Sequence, residues 1–306
     1  MNQDIRRGLL EKIADLHDVP AGAYNIRENG ESAGRRNTDE ITIETKTDKP
    51  GINIIVKSGT KNKSVHIPVL ITQTGITEMV YNDFIIGDDC DVLIVAGCGI
   101  HNTGDETSAH DGVHSFEVGK NSHVRYIEKH YGEGNGSGER VMNPEMTAHL
   151  AEGASMEIES VQIGGIDSTN RKTVITAEEG CEVLLSERIM SDGHQNVVSD
   201  TEVILNGKDS KARINSRSVA KGCSTQLFYP KLTGNADCFG HVQCDSIIMD
   251  DAKIRSIPEI CANSVDARLI HEAAIGKIAG DQILKLMTLG LTAEEAEEKI
   301  LNGLLK

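Results

Sequence analysis

Two hydrophobic periods divide this chain of 306 residues. At its start Ile5, Leu9, Leu10, Ile13 and Leu16 recur at helical spacing, and His17-Asp18-Val19-Pro20 closes the segment. Beyond it the period drops to that of a strand. Ile41-Thr42-Ile43 alternates, and Ile52 to Val56 and Val65 to Ile71 are apolar runs bounded by turn residues. From about residue 80 a looser unit repeats: a glycine turn, a small or polar pair, then alternating apolar positions. Its instances begin at Gly87, Gly119, Gly153, Gly180, Gly207 and Gly234, the last three 27 residues apart. A unit of this length cannot bury its own apolar face, so such units stack into a solenoid. With strands in each unit the expected form is a parallel β-helix; an irregular β-sandwich is the alternative.

The open ends of a β-helix expose unpaired strand edges, and helices at the two termini are expected to cap them. Near the C-terminus Ile283, Leu284, Leu286 and Met287 form one apolar stripe that stops at Gly290. Thr292 and Glu295 then have the spacing of a capping box. The helix they open carries Ala293, Ala296, Ile300, Leu301 and Leu304 on one face. This hairpin either packs on its own solenoid or docks a partner, through Ile283, Leu286, Met287, Ile300 and Leu304. The expected organisation is a helix at 1–20, a β-helix core at 21–272 and a helical hairpin at 273–306. The glycine-dense stretch from Gly132 to Glu139 lacks the Lys-Ser/Thr ending of a P-loop and reads as a flexible loop bulging from one coil.

Composition narrows the function classes. Aromatics are 3% of residues and there is no Trp, which suits a thin repetitive core better than a compact enzyme. The formal net charge of −16, with no Lys/Arg cluster, argues against nucleic acid and against an anionic membrane surface. No apolar run approaches the ~20 residues that span a bilayer, and the charged, amphipathic start is unlike a signal peptide. A cytoplasmic location is expected, with the seven cysteines as free thiols. No Gly-x-Ser-x-Gly elbow points to a hydrolase.

Two sets of side chains could carry chemistry. Cys244 precedes His271 by 27 residues, the spacing of the late glycines, and Glu272 follows. Stacked on adjacent coils at about 4.8 Å, a thiolate and an imidazole could share a metal, whereas Glu272 would face the other way unless the strand bends. The second set is Cys98-x-x-His101 with His110-x-x-x-His114. These have ligand spacing for a turn and a helix respectively, and would suit a mononuclear metal-dependent enzyme. A polar loop, or a non-catalytic interaction module, is the plain alternative.

The stretch from His241 to Lys306 resembles the SufB branch of the SufB/SufD family of iron–sulfur cluster assembly scaffolds. The similar words are Gln243-Cys244-Asp245-Ser246, Ile257-Pro258, His271-Glu272-Ala273, Asp281-Gln282, Gly290-Leu291 and Ile300-Leu301-Asn302-Gly303. The resemblance implies a right-handed parallel β-helix with helical ends. It implies a non-enzymatic scaffold on which transient iron–sulfur clusters form from sulfur delivered by a cysteine desulfurase system. The partners it implies are a SufC-type ABC ATPase, bound through the C-terminal helices, and a second core, here a homodimer. The family's functional Cys falls on Cys244, as sulfur acceptor or iron ligand, and its His-Glu pair falls on His271 and Glu272. The chain departs from the pattern in having Ile270 where SufB has Glu, in its shorter length, and in lacking an N-terminal Cys-x-x-Cys. Cys98 and Cys223 are not ranked as further sulfur carriers.

Overall fold

The computed structural model describes residues 3–17 and 20–305, so the Asp18-Val19 part of the first helix stop lies outside the described residues. Among the described residues the chain is mainly β, with 57% of residues in strands, three helices, and a β-solenoid of about 8 turns. The chain winds back and forth between two sheets, and from residue 51 onwards each strand pairs in parallel with the strand one turn away. The pattern follows from composition. Each strand carries apolar side chains at alternate positions, as in the alternately buried Asn196–Leu205, and the two sheets bury those faces against each other. One continuous interior of Val, Ile, Leu, Ala and Cys results, with Phe84, Phe116 and Tyr126 its largest side chains.

The N-terminal end closes on antiparallel pairs, Ala23–Glu28 with Glu31–Arg36 and Ile41–Thr45 with Gly51–Val56. The terminal helices do not cap the ends. Helix α1 (Gln3–Ala14) lies on the outer face of the first sheet, where Leu9, Leu10 and Ile13 pack on Leu70 and Val95. It sits close because Gly97 and Gly99 face it; a Cβ at Gly97 would run into Ile13. Helix α2 (Gly280–Met287) buries none of its residues. Helix α3 (Ala293–Leu304) carries the expected capping box between Thr292 and Glu295. Leu301 and Leu305 pack laterally on Val219. The reason is chemical: the outward positions these helices cover are apolar, and burying them outweighs covering an edge. At the C-terminal end the strand Arg268–Gly276 is therefore the free edge of its sheet.

The glycine-dense stretch is not a bulging loop. Its backbone stacks on the preceding turn, with Gly136 N–H donating to Asn102 O at 3.1 Å and Gly138 N–H to Gly104 O at 3.0 Å. A Cβ at Gly134, Gly136 or Gly138 would enter the backbone of Asn102, Gly104 or Glu106. Glycine stands there because two turns touch main chain to main chain. Gly136→Ala is expected to destabilise the protein by about 1–3 kcal/mol, the usual overpacking cost, read as a lower denaturation midpoint with unchanged slope.

Candidate functional site

Two strands at the C-terminal end position the first candidate set, Phe239–Ile248 and Arg268–Gly276. Their register pairs Val242 with His271, Gln243 with Glu272 and Cys244 with Ala273. The rung here is 29 residues, so Cys244 does not lie directly over His271 as the glycine spacing suggested. A slip of two preserves the face, since side chains alternate with period two. Cys244 and His271 both point inward as diagonal neighbours, with Cβ atoms about 8 Å apart by strand geometry. Metal bonds of about 2.3 Å to sulfur and 2.1 Å to nitrogen, added to the side-chain lengths, allow one ion to span them.

Glu272 is on the other face. The strand runs straight through it to Gly276, and its carboxylate meets His241 Nε2 at 3.2 Å. His241 was not singled out from the sequence; it shares the outward phase of Gln243, and the signal was its position two residues before a recognised neighbour.

The two inward groups differ in readiness. Cys244 is 2% exposed. Burial pushes its thiol up to about 11, with Ser256 favouring the thiolate and Glu187 and Asp245 opposing it. The Ser256 hydroxyl is buried without a geometrically sound hydrogen bond of its own. His271 is half-buried, and burial followed by the nearby His241 lowers its pKa, which favours the neutral ring. Its Nε2 is out of solvent and has no hydrogen-bond partner among the described residues, which leaves a ligating atom unsatisfied. The thiol must shed a proton before it can ligate or attack. Alkylation of Cys244 in the folded protein is therefore expected to keep rising about tenfold per pH unit towards pH 11, where an ordinary thiol levels off near pH 9. Site-resolved mass spectrometry, with the exposed Cys223 as internal reference, checks this.

The second set is partly gathered. Cys98, His110 and His114 line one small interior cavity with Asn82, Glu128 and His130. His101 is not among them. It is three residues from Cys98 in the single strand Asp91–His101, so it faces outward and meets Glu133 at 3.1 Å. His110 and His114 are on a strand, Ser108–Val118, rather than a helix; their spacing of four puts them on one face in either geometry. Among the described residues no three His, Cys, Asp or Glu side chains already converge closely enough to hold an ion.

A buried charged network was missed from the sequence. Arg171 Nη1 donates to Glu128, Nη2 donates to His130 Nδ1 at 3.1 Å, and Nε lies 3.8 Å from Glu187. Glu187 accepts from Ser199 at 2.7 Å and from Ser216 at 3.1 Å, and Ser216 pairs in register with Cys244. Burial opposes the charge on Glu128, but the Arg171 guanidinium beside it outweighs burial and lowers its pKa, keeping it ionised. His130 is driven down to about 3 by burial and stays neutral. The available signal was phase: Glu128 and Glu187 fall on the inward positions of their strands, in step with Tyr126 and Leu185.

The C-terminal hairpin offers a surface. Leu284, Met287 and Leu289 are exposed and Ile283 and Leu286 are half-buried, while Leu304 is spent partly against the solenoid. No helix among the described residues is long and apolar enough to cross a membrane.

The sequence model for the SUF system FeS cluster assembly SufBD core domain matches residues 72–304. An iron–sulfur cluster assembly SufBD family protein of Methanocaldococcus jannaschii is 29% identical over 260 residues, covering 82% of this chain and 79% of that one. One from Archaeoglobus fulgidus is 27% identical over 278 residues, covering 89% and 73%. One from Methanothermobacter thermautotrophicus is 27% identical over 237 residues, covering 75% of this chain and 56% of that protein. This chain thus spans little more than half of some relatives and about four fifths of others.

Proposed function

Because this chain belongs to the SufBD family of the SUF iron–sulfur cluster assembly system, we propose that it is a scaffold on which a nascent cluster is built at the C-terminal rung. In this reading Cys244 accepts sulfur or ligates iron, and His271 ligates iron through Nε2. Glu272 acts from the outer face, as an oxygen ligand or proton acceptor reaching round the free edge. The cluster is cargo, held transiently. One observation carries the reading: a thiol and an imidazole with an unsatisfied buried nitrogen share the inner face of the last two rungs, beside a free strand edge.

The partners follow from the same end of the molecule. The edge of Arg268–Gly276 is suited to pairing with a second copy, giving a homodimer with two such sites near its junction. The exposed apolar stripe of α2 is suited to a SufC-type ABC ATPase, which would supply ATP hydrolysis that this chain does not perform. A cysteine desulfurase system would supply sulfur, and the setting would be cytoplasmic.

Anaerobic reconstitution with ferrous iron and sulfide tests the scaffold role. The expected result is a cluster absorbance and a Mössbauer signal that accumulate on the wild-type protein and transfer to an apo-acceptor. A protein that takes up no iron under these conditions would overturn it.

A further inference from the structure

The interior cavity around Gly112 has its own chemistry, separate from Cys244. His110, Gly112 and His114 occupy alternate positions of Ser108–Val118, and both histidines are buried. Four strand residues span about 13 Å, and both rings lean in over Gly112, which has no side chain to hold them apart. A Cβ on Gly112 would sit 3.1 Å from His114 Nε2 and 3.6 Å from His110 Nε2. Both rings are oriented from behind. His110 Nδ1 meets Glu78 at 3.1 Å, and the other Glu78 oxygen accepts from Arg27 at 2.8 Å. His114 Nδ1 meets the Tyr126 hydroxyl at 2.7 Å, which in turn donates to Glu128 at 3.0 Å.

With both Nδ1 atoms donating, both Nε2 lone pairs turn towards the void over Gly112. This is the outer-shell pattern that holds metal-ligating histidines in one tautomer. His114 Nε2 accepts from Asn82, at 3.2 Å. His130 is set apart, because its Nδ1 already accepts from Arg171. Cys98, 2% exposed, faces the same cavity from the opposite sheet. The cavity is small, about 20 Å³, which is room for one water-sized body. Glu128 lines the cavity and Glu78 backs the His110 ring, so two carboxylates stand beside it, each paired with an arginine.

We propose that this cavity is a mononuclear site for a zinc- or ferrous-type divalent cation, with His110 and His114 as a preformed half-site and Cys98 as the ligand the ion draws in. Two imidazoles and a thiolate are the donor set of such ions rather than of magnesium or calcium. Binding replaces the Asn82 hydrogen bond and releases the Cys98 proton to solvent. The site lies on different rungs from Cys244 and needs neither cluster assembly nor a partner.

Cobalt(II) titration of chelator-treated, full-length Cys244→Ala protein tests it without involving the proposed cluster site. The expected result is one cobalt per chain with d–d bands and a thiolate-to-cobalt charge-transfer band. Cys98→Ser removes the charge-transfer band. Gly112→Ala, which fills the cradle, and Glu78→Gln, which frees the His110 ring, each weaken binding by roughly tenfold or more. Circular dichroism establishes that each variant is folded, and Cys98→Ser, a one-atom change, keeps the test decisive should Gly112→Ala fail to fold. Absence of bound cobalt, or cobalt with spectrum and affinity unmoved by Cys98→Ser and Glu78→Gln, would overturn the proposal.

Discussion

Arg171→Leu is expected to destabilise the protein by about 3–5 kcal/mol, the usual consequence of leaving a buried charge without its partner. Arg171 reaches both Glu128 and Glu187, and these are 8% and 4% exposed. Leucine fills much of the same volume but supplies no donor, so two carboxylates would remain in the interior facing each other's field. One of them would have to protonate, or water would have to enter, and either weakens the packing of neighbouring rungs. Adding Glu128→Gln to Arg171→Leu removes one stranded charge and is expected to restore part of the loss, a coupling of about 0.5–3 kcal/mol. Urea denaturation of the two single variants and the double variant measures it. A loss below about 1 kcal/mol for Arg171→Leu would show that solvent already reaches these charges.

The second large effect concerns Cys244. Cys244→Ala is expected to reduce cluster accumulation to background, while Glu272→Gln retains a substantial fraction. The asymmetry comes from the strand alternation. Cys244 and His271 supply the inward sulfur and nitrogen, whereas Glu272 points outward and is held by His241. Stability should separate from function. Alanine for one buried thiol is a small change in a core of small side chains, so Cys244→Ala should unfold close to wild type while losing the cluster. Equal loss in both variants would place the cluster at the strand edge, with both faces contributing.

Much of this architecture is legible from alternation alone. Positions such as Ile41, Ile43, Ile52, Ile54, Val65 and Ile67 are apolar because each strand has one face in the core, and a two-residue period follows directly. Rung length was not legible. Gly180 sits in a turn with a φ of +67°, whereas Gly234 ends a strand and pairs with Leu205. The equal spacing of Gly180, Gly207 and Gly234 therefore joins unlike positions, and the register by hydrogen bonding is 29 residues where the glycines suggest 27. That error displaced His271 by two places and left its face correct.

His101 went the other way. An odd separation from Cys98 within a strand reverses the face, which a turn or helix reading of the same spacing hides. The Arg171 network escaped notice because Arg171 and Glu128 are 43 residues apart, and a charge in phase with apolar neighbours looks like surface until its counter-charge is placed. The glycine-dense stretch misled for a related reason. Glycine serves close backbone approach as well as flexibility, and only the stacked turn decides between them.

The most direct measurement is pulsed electron paramagnetic resonance on the reduced, reconstituted protein, made with ¹⁵N-labelled histidine. Coupling to imidazole nitrogen is expected to vanish in His271→Ala and persist in His241→Ala, with no cluster signal at all in Cys244→Ala. A cluster of normal yield and unchanged spectrum in Cys244→Ala and His271→Ala would contradict it.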